Sequence, residues 1–106
     1  MLTQVEQNDI KELLLTGNKI FLDKDCEQEH IRHTFYYQET THSVFFYHVK
    51  FSYVKNKNIP ILKDYPTKSF SIEEKENYLN TYLHDMINEI YYYINKGYII
   101  SCNKEE

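Results

Sequence analysis

Residues 30–55 read HIRHTFYYQETTHSVFFYHVKFSYVK, and this stretch decides the fold class. Ile31, His33, Phe35 and Tyr37 alternate with Arg32, Thr34 and Tyr36. After Glu39-Thr40-Thr41, a second run sets Phe45, Tyr47, Val49, Phe51 and Tyr53 against Val44, Phe46, His48, Lys50 and Ser52. Alternation over that length, in aromatic and β-branched residues, predicts two strands joined as a hairpin. Pairing Gln38 with His42 across a three-residue loop puts Ile31, Phe35 and Tyr37 on one face with Phe45, Tyr47, Val49 and Phe51. A slip of one residue would mix that face with the other set, so the expected register is this one.

Outward from the hairpin, the chain supplies two helices. Towards the N-terminus, Thr3-Gln4-Val5-Glu6 has the form of a capping box, and Gly17-Asn18 is a helix stop, which predicts a helix over 4–16. Lys19 to Asp23 then reads as a short strand, followed by an acidic turn over 24–29. Beyond the hairpin, residues 56–70 read as a connection, with Pro60 and Pro66 interrupting any regular element and Ile59, Ile61 and Leu62 available to cover a core edge.

Ser71-Ile72-Glu73-Glu74 is a second capping box and Gly97 a second stop, predicting a long helix over 71–96. Ile72, Leu79, Leu83, Met86, Ile87, Ile90 and Ile94 fall within an arc of about 100° on a wheel of 3.6 residues per turn, the signature of a core-facing stripe. Tyr82, Tyr91 and Tyr93 flank that stripe, while Tyr78 and Tyr92 fall on the polar half. Residues 98–102 make a closing strand. The expectation is a single α+β domain over 1–106, in the order α-β-β-β-α-β. Its mainly antiparallel sheet is packed by an N-terminal helix and a long C-terminal helix.

Composition limits the function. The 106 residues are 42% hydrophobic and 26% charged, an ordinary globular balance. No apolar run approaches the length of a membrane span, and the first residues lack the basic and apolar regions of a signal peptide, so a cytoplasmic protein is expected. There is no Ala or Trp, and there are 11 Tyr. The excess of Asn, Lys, Ile, Tyr and Phe, all with A/T-rich codons, points to an A/T-rich gene of a low-GC bacterium, a phage or a mobile element.

Net charge is −4 and Arg32 is the sole arginine, which argues against gripping phosphates. A local patch of Lys50, Lys55, Lys57, Lys63 and Lys68 is the one arrangement that would support nucleic-acid binding.

The motifs of catalysis and cofactor binding are absent. Gly17 and Gly97 are both helix stops, so no glycine-rich loop is left to cradle a phosphate, and neither a nucleophile elbow nor an HExxH helix occurs. Cys26, His30 and His33 read C-x3-H-x2-H, which is not a zinc spacing, and an odd separation in a strand turns His30 and His33 to opposite faces. No cofactor and no metal are expected. Cys102 lies in an apolar run and reads as a packing residue. Cys26 sits among Asp25, Glu27 and Glu29, surroundings that blunt a thiol nucleophile. His48 is placed to approach Arg32 or Tyr47 across the hairpin. His30, His33 and His48, with Arg32 or Lys50, are the residues a ribonuclease or small RNA-binding protein would use.

The surface suggests a different class. Glu73, Glu74, Asp85 and Glu89 lie on the polar side of the long helix beside Tyr78 and Tyr92, and Tyr36 and Phe46 fall outside the inferred core. Tyrosine gives a large rigid contact with a polar tip, and carboxylates around it suit a basic protein partner. The expected protein is a non-enzymatic stoichiometric inhibitor: an immunity protein neutralising a nuclease toxin, or a phage-encoded anti-defence inhibitor such as an anti-CRISPR. A homodimer burying the second aromatic sheet face is a third expectation.

Overall fold

A computed structural model describes residues 4–54 and 66–103. Helix α1 (Gln4–Leu15) is followed by strands β1 (Lys19–Asp25), β2 (Glu29–Glu39), β3 (Ser43–Val54) and β4 (Pro66–Ser71). A single 3-10 turn, Ile72–Glu74, leads into α2 (Lys75–Asn95), and β5 (Ile99–Asn103) closes the chain. The five strands form one sheet in the order β4-β3-β2-β1-β5, every pair antiparallel. The α+β architecture follows the sequence expectation, with one strand more. β4 lies where a connection was expected, because Pro66, Thr67, Lys68 and Ser69 carry no alternating apolar signal. The strand is held by its pairing to residues 43–47 of β3. The capping box at Thr3, the lysines at 55, 57 and 63 and the apolar residues at 59, 61 and 62 lie outside the described residues.

Both helices pack on one face of the sheet. Ile10 and Leu14 of α1 and Leu83, Met86, Ile87 and Ile90 of α2 meet Ile20, Leu22, Phe35, Tyr37, Val44 and Phe46. The stripe read from the sequence of α2 supplies its inner face, with Ile72, Leu79 and Ile94 partly buried at its margins. Each helix ends in the same way. At α1, Asn18 N–H donates to Leu13 O and Gly17 N–H to Leu14 O. At α2, Tyr98 donates to Tyr93 O and Gly97 to Ile94 O. These paired bonds make a Schellman motif, which needs a left-handed residue, and Gly17 (φ 88°) and Gly97 (φ 93°) provide it.

The hairpin register differs from the expected one. β2 pairs with β3 as Gln38↔Phe45 and Glu39↔Val44, not Gln38↔His42. The cause is local. The hydroxyl of Thr40 accepts from the amides of His42 (3.2 Å) and Ser43 (2.9 Å) and donates to Ser43 O (3.0 Å). Meanwhile the Thr40 amide donates to Ser43 O at 2.8 Å. A side chain thus closes a tight tip at Thr41-His42 without glycine. The changed parity turns Val44, Phe46 and His48 to the helices and sends Phe45, Tyr47 and Val49 to the opposite face.

Candidate functional site

Along α2 and the Glu74 that caps its start, the outward residues form a row. Glu74, Tyr78, Asp85, Glu89 and Tyr92 recur at intervals of three, four and seven, which on a helix are neighbours on one side. All five are exposed, as is Glu73 at the start, with Tyr92 at 55% and Tyr78 at 40%. Tyr78 leans edge-on against Phe70 at 5.8 Å, which steadies its ring without burying it, and Lys96 Nζ stands 5.4 Å from the centre of the Tyr92 ring. Lys75 is drawn off to Glu39. The row is therefore acidic, with a tyrosine near each end.

The two other residues expected on a binding surface lie elsewhere. Phe46 is 2% exposed and belongs to the core, a correction that follows directly from the register of β3. Tyr36 lies on the sheet face away from the helices. It stacks on Tyr47 with ring centres 4.4 Å apart and planes 4° from parallel, and Lys19 Nζ sits 4.7 Å from its ring. It cannot share one flat interface with α2, because the whole sheet lies between them.

The same register builds a cluster that the sequence reading did not assemble. His33 on β2 and His48 on β3 both turn towards α2, and His33 Nδ1 is 2.9 Å from His48 Nε2. His33 stacks on Tyr93 at 3.9 Å and His48 on Phe35 at 4.1 Å. Glu89 Oε2 stands 3.3 Å from His48 Nδ1. With the His48 proton on Nδ1 towards this carboxylate, Nε2 is left to accept from His33 Nδ1–H, so the order of the protons is set from the Glu89 end. His33 is 3% exposed. Burial, then the neighbouring His48 and Lys50, lower its pKa to about 4. Burial also lowers that of His48, against the opposing pull of Glu89. The pair is neutral at pH 7.

A small cleft opens beside His48 between β3, β4 and α2, with Lys68, Tyr82, Asp85 and Glu89 on its walls. Lys68 Nζ lies 4.9 Å from the Tyr82 ring. The expected approach of His48 to Arg32 or Tyr47 does not occur, because both project from the other face. There Arg32 Nε donates to Asp23 Oδ1 at 2.6 Å, and His30 Nε2 meets the same oxygen at 2.9 Å. Burial alone would raise the Asp23 carboxyl, but these two partners outweigh it and hold its pKa below the ordinary value. His30 and His33 do face opposite sides, as their odd spacing required.

Both cysteines are free thiols, and Cys102 packs against the core. Among the described residues no three His, Cys, Asp or Glu side chains gather as a metal-binding group, and no helix is long and apolar enough to cross a membrane. Compared with protein-family models, curated proteins and solved structures, the chain matches none of them.

Proposed function

We propose that this protein is a non-enzymatic, stoichiometric inhibitor that binds a basic protein through the outward face of α2, in its most specific form an immunity protein for a nuclease toxin. The observation that carries the reading is the exposed row Glu74, Tyr78, Asp85, Glu89 and Tyr92 on a helix whose inner face is fully committed to the core. Carboxylates along that row would steer a basic active site into contact and stand in for the phosphates it normally meets. The two tyrosines would supply the desolvated contact area. A phage-encoded anti-defence inhibitor such as an anti-CRISPR would use the same surface chemistry, and the identity of the bound protein separates the two. Either would act in the cytoplasm, where both thiols stay reduced.

The His33–His48–Glu89 cluster favours a second reading, a ribonuclease or small RNA-binding protein. It is the weaker one. His33 is enclosed, so a single imidazole reaches the cleft, and of the two cations such a site would use Arg32 is on the wrong side of the sheet, which leaves Lys50 beside His33.

Titration of the partner against variants distinguishes the two. Under the inhibitor reading, Asp85→Lys or Tyr92→Ala weakens the complex at least about tenfold, a loss of about 1.4 kcal/mol, and His48→Gln leaves it unchanged. RNA cleavage by the wild type that disappears in a folded His48→Gln variant would replace that reading with the second.

A further inference from the structure

The sheet has two edges, and they are built differently. β4 begins with Pro66, carries Lys68, and meets β3 through a bulge at Phe46/Tyr47, three devices that discourage a further strand from adding on. β5 has none of them. Its residues Ile99, Ile100, Ser101, Cys102 and Asn103 include no charge, proline or glycine, and all five pair with β1 on one side only. Among the described residues no strand pairs with the other side. Ile99 is 74% exposed and Ile100 36%, on alternate faces of the strand.

We propose that β5 is a dimerisation edge, on which the β5 of a second copy of this chain adds antiparallel to join the two sheets into one. Charge distribution selects this occupant. On the helix side, the Ile99 end of β5 carries Lys24, which reaches over the Tyr98 ring and donates to Lys96 O at 3.2 Å, with Glu29 also close enough to act on the Tyr98 hydroxyl. The other end is acidic, where Asp9 and Glu12 of α1 share a groove with Cys102. A two-fold axis at Ser101 sets Ile99 beside Asn103 and Ile100 beside Cys102 of the second copy. It also brings Lys24 of each chain towards the Asp9 and Glu12 groove of the other, twice. No like charges oppose each other within the paired strands, and the small Ser101 lies at the axis. A basic partner of the kind α2 suits would find nothing to grip on this uncharged strand. β5 contains none of the residues of the α2 row, so the proposal does not rest on the inhibitor reading.

The test is the mass of the full chain in solution over a concentration series, read with amide hydrogen exchange. The expected mass rises to twice 12.9 kDa, and exchange in residues 99–103 slows in step with it. Ile99→Lys stays monomeric and melts as the wild type does at concentrations too low for it to dimerise, and Lys24→Glu weakens the dimer about tenfold or more. A wild type that remains monomeric throughout overturns the proposal. So does a dimer whose new protection lies outside β5, and so does dimerisation that survives in folded Ile99→Lys.

Discussion

His33 and His48 meet nitrogen to nitrogen, at 2.9 Å, between the sheet and α2. The bond needs one ring nitrogen to donate and the other to accept, so at least one of the two rings is neutral, and protonating both would put two donors face to face. The contact therefore ties the packing of α2 on the sheet to pH.

Acid should loosen the fold in a defined window. The pKa of His33 falls from 6.5 unfolded to about 4 in the fold. The neutral form is favoured by folding, so this stability is complete above pH 6.5 and is lost as the pH falls towards 4. The loss is on the order of 3 kcal/mol. His48, also lowered, acts in the same direction. Asp23, whose carboxyl is lowered from 3.8, loses its contribution only below that window. Urea midpoints measured from pH 7 to 4 should fall steeply, and His33→Phe should remove most of the slope. An equal slope in the variant would contradict the assignment.

The register of β3 makes an equally sharp prediction. Phe46→Ala should cost about 3–5 kcal/mol, as expected for an enclosed aromatic ring. Tyr47→Ala, one residue on and facing away from the helices, should cost clearly less. Denaturant unfolding of the two variants decides it, and the opposite order would restore the Gln38–His42 pairing.

That reversal shows how far the sequence could be read. The α2 stripe from Leu79 to Ile94 and the two glycine stops were legible because helical periodicity and positive φ leave local marks. The faces of β3 were not. Val44, Phe46 and His48 are hardly less apolar than Phe45, Tyr47 and Val49, so hydrophobic pattern does not choose between them. The choice fell to the Thr40 hydroxyl at the hairpin tip. With the register went Phe46 as a surface residue and the meeting of His33 with His48. β4 was hidden for a different reason: its pairing to β3 is non-local, and Pro66-Thr67-Lys68-Ser69 has no strand signature of its own. The exposed row on α2, by contrast, required only the helix to be right.

The two stop glycines should be costly to replace for a backbone reason alone. A Cβ at Gly17 or Gly97 meets nothing within 4 Å. Alanine at either position should therefore lower stability by about 1–2 kcal/mol through the left-handed conformation itself. Thermal melts of Gly97→Ala and Gly97→Asn should rank Asn as the milder change, since Asn tolerates that region better. An Asn variant less stable than the Ala one would point to a steric cause instead.

Residues of the α2 row should be separable from the fold. Tyr92→Ala and Asp85→Lys alter exposed side chains, so their unfolding free energies should stay within about 0.5 kcal/mol of wild type. A larger loss would mean that the row serves stability and not a partner.

The central claim, that the α2 row binds a basic protein, is met most directly by affinity capture. Tagged wild type and an Asp85→Lys/Tyr92→Ala variant would be exposed side by side to nuclease-treated lysate of the organism that encodes the chain. The predicted result is one basic protein, stoichiometric with the wild type and lost from the variant. The contradicting result is no protein on either, with nucleic acid held by both when the nuclease is omitted.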